Sequence, residues 1–203
     1  MIYNQKNALT IAEQLINIEA VKISIENPFT WTSGIKSPIY CDNRLTLSDF
    51  NIRDLIKHTF IRLIKEHFEN VECIAGVATA GIPHASFIAD SLNKPLVYVR
   101  NKPKGHGLGN QIEGKVIPGQ KIVVVEDLVS TGKSSLEAVK ALRDSGCDVL
   151  GMVAIFTYGF SETYRLFEKN KCPLWTLCDY EILRQINSEL PDFQPDFSST
   201  SLN

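Results

Sequence analysis

The sequence predicts an α/β fold, a doubly wound, mostly parallel sheet flanked by helices, with a small N-terminal addition. Three observations predict it. From residue 70 onward, short apolar runs without polar alternation recur, as expected for strands buried on both faces. The stretches between them are long enough for right-handed helical crossovers between parallel strands. One apolar run ends in two adjacent carboxylates and a small-residue turn into a helix, the kind of place where open α/β sheets take ligands.

With 203 residues, 44% hydrophobic and 22% charged, the chain is sized for one domain. Residues 1–186 are expected to form it, with 1–47 as the N-terminal addition and 70–186 as the α/β core. Lys plus Arg number 21 against 23 Asp plus Glu, a net charge of −2. That balance gives no general pull toward phosphate backbones or anionic surfaces, so no nucleic-acid or membrane partner is expected. Cys41, Cys73, Cys147, Cys172 and Cys178 are odd in number and include no C-x-x-C pair, which favours reduced thiols over disulfides or a zinc knuckle. The first residues lack the apolar stretch of a signal peptide, and the longest apolar run, near Val149 to Phe156, is interrupted by Gly151 and too short to span a bilayer. A cytoplasmic location is expected.

The elements follow in order. Ala8, Ile11, Ala12, Leu15 and Ile18 recur at helical spacing, predicting a helix over Asn7 to Ile18, and Ile52, Ile56, Phe60, Leu63 and Ile64 predict a second from about Ser48 to His67. Between them, Glu26 to Arg44 is rich in turn formers and aromatics and reads as short strands with tight turns. Strands are expected at Cys73 to Ala78, Leu96 to Val99, Ile122 to Val125, Val149 to Phe156 and Leu174 to Leu177. Helices are expected at Pro83 to Leu92, Ser134 to Ser145 and Ser161 to Lys169, with Pro83 in a first helical position and Gly146 just past a helix end. Arg100 to Lys115, with four glycines and almost no apolar residues, reads as a functional or mobile loop. Asn187 to Asn203 reads as a weakly docked tail. His58 and His67 read as solvated, His84 as a cap of its helix, and Trp31 and Trp175 as packing groups.

The chemistry concentrates at Lys121-Ile-Val-Val-Val-Glu126-Asp127-Leu128-Val129-Ser130-Thr131-Gly132-Lys133-Ser134-Ser135. Backbone N–H groups of the turn and helix start, with the hydroxyls of Ser130, Thr131, Ser134 and Ser135, suit a phosphate monoester. Glu126 and Asp127 repel phosphate but accept hydrogen bonds from sugar hydroxyls. Phosphate on the turn and a diol on the acids describe a ribose 5-phosphate; plain helix capping is the alternative for the turn alone. A nucleoside-triphosphate loop is excluded, because Asp127 stands five residues before Gly132 where that motif needs glycine.

This segment resembles the phosphoribosyl-pyrophosphate motif of the type I phosphoribosyltransferases. Tyr98-Val-Arg100-Asn101-Lys102-Pro103-Lys104-Gly105-His106-Gly107 resembles the family's catalytic loop, and Phe29-Thr-Trp31-Thr32-Ser33-Gly-Ile-Lys-Ser-Pro-Ile-Tyr40 resembles the N-terminal hood of its orotate-using branch. Gly76-Val-Ala-Thr-Ala-Gly81-Ile-Pro83 is similar to its pyrophosphate loop. The resemblance covers nearly the whole chain apart from the tail, and implies a type I phosphoribosyltransferase-like fold.

It also implies an activity: transfer of ribose 5-phosphate from 5-phospho-α-D-ribose 1-diphosphate (PRPP) to N1 of orotate. Catalytic groups would be Arg100, Lys104, His106 and Asp127. PRPP would contact Arg100, Lys104, His106 and Glu126, Asp127, Leu128, Val129, Ser130, Thr131, Gly132, Lys133 and Ser134, while Ser130 would face orotate. Mg²⁺ is implied, carried on PRPP without direct protein ligands. A homodimer is implied, with the loop at 100–110 shared across the interface. The sequence departs from the family at Asn101, where many members have a second lysine, at Thr32, where others have one, and at Thr157-Tyr158-Gly159, which lacks the arginine that contacts the orotate carboxylate. A phosphoribosyltransferase for another base and a PRPP-binding regulator are the alternatives.

Overall fold

The computed structural model describes residues 1–31, 33–100 and 111–195. Helix α1 (Gln5–Asn17) opens the chain, followed by β1 (Val21–Ile23), β2 (Phe29–Thr30), β3 (Lys36–Ser37), β4 (Ile39–Cys41), a 3-10 helix (Asn43–Leu47) and α2 (Phe50–His67). The core then runs β5 (Cys73–Val77), α3 (Gly81–Leu92), β6 (Leu96–Val99), β7 (Ile112–Glu113), β8 (Lys121–Val129), α4 (Lys133–Asp144), β9 (Asp148–Thr157), α5 (Ser161–Lys169), β10 (Leu174–Asp179) and α6 (Tyr180–Ile186).

Six strands form one sheet in the order β10-β9-β8-β5-β6-β7. All its pairings are parallel except β6 with β7. Side chains alternate between two apolar layers, as period-two strands require. Ile74, Val123, Val125, Val153 and Ile155 pack with apolar residues of α1, α2, α3 and α6. Ala75, Ile122, Val124, Met152 and Ala154 pack on the other face with Leu136, Val139 and Leu142 of α4 and Phe167 of α5. Both faces are covered, which is why these strands carry no polar alternation.

Strand β5 is followed by α3 and then β6 on one side of it, whereas β8 is followed by α4 and then β9 on the other. The order therefore reverses between β5 and β8, and the two connections part there, leaving a crevice beyond the carboxyl ends of those strands. The N-terminus closes the opposite edge: Met1 N donates to Leu174 O at 2.8 Å and Tyr3 N to Thr176 O at 3.0 Å, beside β10.

Several boundaries differ from those the sequence predicts. β8 continues past Val125 to Val129, because Glu126, Leu128 and Val129 stay in register with Ala154, Phe156 and Thr157 of β9. α3 begins at Gly81, so Pro83 is its third residue rather than its first; the N–H that proline lacks would have had no partner inside the helix there either. His84 caps nothing: it is 2% exposed, and the N-cap is Ala80. β7, the 3-10 helix and α6 add to the expected elements; α6 is capped by Asp179, whose carboxylate accepts from Ile182 N at 2.9 Å. Residues 187–195 are docked, with Leu190 buried, Tyr180 Oη donating to Pro191 O at 2.6 Å and the Phe193 ring 5.8 Å from Trp31. Two apolar anchors in a polar stretch are enough to seat it.

His58 is exposed and lies 3.5 Å from Asp54, while His67 stacks on Trp175 with centroids 4.0 Å apart. The five cysteines are unpaired and buried. Among the described residues no helix is long and apolar enough to cross a membrane.

The closest approach in the core is at Gly81, where a Cβ would lie 2.5 Å from Val125 O. Gly81→Ala must push α3 away from β8, and we expect a loss of about 2 kcal/mol or more in stability, read from urea or thermal unfolding.

Candidate active site

A cleft of about 1060 Å³ opens at the crevice between β5 and β8. Its floor is the turn from β5 into α3, through Ala78, Thr79 and Ala80, and the turn from β8 into α4, through Ser130 and Thr131. Neither helix has a side-chain cap. By contrast, α1, α2 and α6 are capped by Asn4, Asp49 and Asp179; α5 also lacks a side-chain cap, but its first residues do not line the cleft. The first backbone N–H groups of a helix have no partner within it, and its N-terminal end carries partial positive charge. Two such ends facing one cleft form a cradle for anionic groups. Glycines permit the geometry: Gly81 brings α3 against β8, and Gly132, at φ +82°, turns the chain into α4 where a Cβ would strike the Phe167 ring at 2.7 Å.

Between the two cradles stand the acids. Glu126 is 7% exposed; its Oε2 accepts from Ser135 Oγ at 3.1 Å and its Oε1 from Asp127 N at 3.1 Å. Burial pushes the Glu126 carboxyl well above the usual carboxylate range, and the neighbouring Asp127 adds a like charge. Burial also raises Asp127, opposed by hydrogen bonds from Glu126 and from its own and the Leu128 amides and by the Arg44 charge. Both carboxyls are thus pushed upward by burial, Glu126 the more strongly.

The third wall comes from the N-terminal segment, with Trp31, Ser33, Tyr40, Asp42 and Arg44 facing the cleft. Cys41 N donates to Tyr158 Oη at 3.2 Å, and Asn43 Nδ2 donates to Asp127 O at 2.8 Å. Trp31 packs on Tyr158 with centroids 4.2 Å apart, its indole N–H donating to Ile39 O at 3.2 Å. Trp31 and Trp175 are packing groups as expected, although Trp31 also borders the cleft. His84 supports this wall from below. Its Nε2 lies 3.5 Å from Thr46 Oγ1, whose proton goes to Asn43 O at 2.6 Å, so the ring nitrogen must be the donor of the pair. Burial lowers the His84 pKa to about 4, keeping it neutral.

The structure brings Glu126, Asp127, Leu128, Ser130, Thr131, Lys133 and Ser134 to the cleft. It does not bring Arg100 there: Arg100 Nη1 lies 3.4 Å from Glu113 Oε1, and its backbone pairs with Gln111. Lys104 and His106 lie outside the described residues, as do Thr32 and Asn101. At the strand end where the family's arginine is missing, Thr157 Oγ1 donates to Val129 O at 2.9 Å and Tyr158 is buried. Asn43, Arg44 and Tyr158 were not singled out from the sequence. The available signal was a run of charged and amide residues, Asp42-Asn43-Arg44, closing an aromatic, turn-rich segment.

The phosphoribosyl transferase domain model matches residues 48–173. An orotate phosphoribosyltransferase of Bacillus pumilus is 57% identical over 185 residues, covering 91% of this chain and 87% of that one. The chain belongs to the orotate phosphoribosyltransferase family. The orotate phosphoribosyltransferase of Bacillus subtilis is 53% identical and extends the match to 95% of this chain and 89% of that one. Among solved structures, the orotate phosphoribosyltransferase of Aeropyrum pernix aligns with a TM-score of 0.76 at 26% identity, covering 88% of this chain and 99% of that one. The Leishmania donovani UMP synthase aligns at 0.75 and 26% over 91% of this chain, which spans 40% of that longer protein. The expected type I phosphoribosyltransferase fold is thus the observed one, and the orotate phosphoribosyltransferase relatives extend over the N-terminal wall that the domain model leaves out.

The buried acids predict an opposed effect on stability and activity. A folded carboxyl with a raised pKa binds protons that the unfolded chain has released, so stability falls as pH rises from the ordinary carboxylate range through the raised value. Glu126→Gln removes that cost. We expect it to raise the thermal midpoint at neutral pH, to lose this advantage below about pH 4, where the glutamate becomes protonated in both states, and to lower activity.

Proposed function

We propose that this protein transfers the 5-phosphoribosyl group of PRPP to N1 of orotate, forming orotidine 5′-phosphate and diphosphate, a step of pyrimidine nucleotide synthesis. The observation that carries the assignment is the meeting of a carboxylate pair with two uncapped helix N-termini in one cleft, in a chain with close orotate phosphoribosyltransferase relatives. The turn at Leu128 to Ser134 takes the 5′-phosphate through its amides, the hydroxyls of Ser130, Thr131 and Ser134, and the backbone at Val129, Gly132 and Lys133. Glu126 and Asp127 accept from the ribose hydroxyls. The diphosphate lies toward Ala78 to Ala80 and the start of α3. Ser130 also borders the base.

In the transfer, the bond from C1′ to the diphosphate oxygen breaks with its electron pair leaving on diphosphate, N1 of orotate forms the new bond, and the N1–H proton passes to the departing diphosphate. Positive charge develops on the ribose, which the Asp127 carboxylate stabilises from a site already fixed by Asn43. Arg100, Lys104 and His106 neutralise the departing diphosphate. Arg100 pairs with Glu113 away from its own cleft, which supports a homodimer in which each loop at 100–110 serves the site of the other copy.

Magnesium fits as a companion of PRPP. Glu126 and Asp127 would offer carboxylate oxygens to an ion carried on PRPP. When bound, the ion supplies charge neutralisation to the diphosphate.

Mixing the protein with PRPP, Mg²⁺ and orotate tests the assignment through loss of orotate absorbance, with uracil, hypoxanthine and adenine in parallel. Orotate alone should be consumed; turnover of another base moves the base assignment, and PRPP binding without turnover favours a regulator. Lys104→Ala should lower kcat by roughly two to three orders of magnitude with little change in either KM; a variant within threefold of the parent removes Lys104 from the mechanism.

A further inference from the structure

Orotate differs from other pyrimidine bases by a carboxylate in the plane of its ring, and the strand end at Thr157-Tyr158-Gly159 offers no cation to meet it. Among the described residues that line the cleft, the cations are Lys133 and Arg44. Lys133 is the first residue of α4, at the phosphate end. Arg44 lies beside Tyr40, on the wall that also carries the tilted Trp31–Tyr158 pair. We propose that Arg44 is the specificity-determining residue for the base, its guanidinium receiving the orotate carboxylate. This rests on the phosphoribosyl transfer assigned above.

Arg44 is held for such a role. Asp42 accepts from its backbone N at 3.2 Å, from Nε at 2.6 Å and from Nη2 at 2.8 Å, and Nη2 lies 3.3 Å from Tyr40 Oη. The flanking residues are tied to the core, Cys41 through Tyr158 and Asn43 through Asp127. The guanidinium plane is therefore fixed relative to the sugar-binding acids. Nη1 has no partner among the described residues, and a guanidinium carries five N–H donors in one plane. The two Nη1 N–H groups remain to donate to a carboxylate. The Arg44 side chain is 60% exposed, so this ordering is not explained by packing. Asp42 is the positioning residue: it fixes the plane and leaves one edge open.

A carboxylate bound this way makes the site discriminate against bases that lack it, because they offer Nη1 no charged acceptor. Two measurements test this. In steady-state kinetics, Arg44→Ala should raise the KM for orotate roughly 10- to 150-fold, the range of a charged hydrogen-bonded pair, with PRPP KM and kcat within about threefold. Arg44→Lys should fall between, and Asp42→Asn should raise orotate KM with a smaller change. By calorimetry without turnover, the parent should bind orotidine 5′-phosphate more tightly than uridine 5′-phosphate, and Arg44→Ala should abolish that preference while binding uridine 5′-phosphate as before. An unchanged preference in Arg44→Ala, or a parent that binds both nucleotides alike, overturns the assignment of Arg44. Failure of the parent to turn over orotate overturns the transfer reaction instead, and the nucleotide preference still decides the role of Arg44.

Discussion

The reversal of strand order between β5 and β8 is the constraint on which the site depends. It sends α3 and α4 in opposite directions from neighbouring strands, so both helices begin at the mouth of one crevice with their positive ends toward it. Gly81 lets α3 start in contact with the backbone of β8, and Gly132 lets α4 start directly beyond the acids. The turns at 78–80 and 130–131 thus become two cradles, with a carboxylate pair at the end of the shared strand between them.

That pair is costly to hold. Glu126 is nearly enclosed and sits beside another carboxylate, and the Ser135 hydroxyl and the Asp127 amide only partly compensate it. A core optimised for stability would not place two acids there. Their presence becomes intelligible when a ribose supplies hydroxyl donors and developing positive charge, and the uncapped helix ends next to them call equally for anionic partners. The carboxylate pair and the two helix N-termini are each suited to one part of a ribose 5-phosphate bearing a diphosphate.

What was legible in the sequence was whatever followed from local pattern. Ile122 to Val125 is uniformly apolar and reads as a buried strand, and Ser161 to Lys169 is helical at the expected bounds. The continuation of β8 through Glu126 was not legible, because a carboxylate reads as a strand end and only pairing with Ala154 of β9 holds it in the sheet. Residues 187–195 looked like a tail on composition, yet Leu190 and Phe193 dock them against the aromatic cluster around Trp31. The acidic motif and its turn were identifiable because the chemistry lies in consecutive residues. Arg44, Asn43 and Tyr158 were not, because they meet the acids only through long-range contacts, and a short polar run at 42–44 has no spacing that reports them.

The N-terminal wall completes the account. It binds the α/β core through Asn43 and Cys41, and His84 contacts it from α3, so this wall is tied to the strands that carry the acids. The most direct measurement is a crystal structure with PRPP and Mg²⁺ bound. The account predicts the 5′-phosphate against the amides and hydroxyls of residues 130–134, the ribose hydroxyls on Glu126 and Asp127, and the diphosphate toward Ala78 to Ala80. A ligand bound with its diphosphate on residues 130–134, or with no sugar oxygen near the two acids, would contradict it.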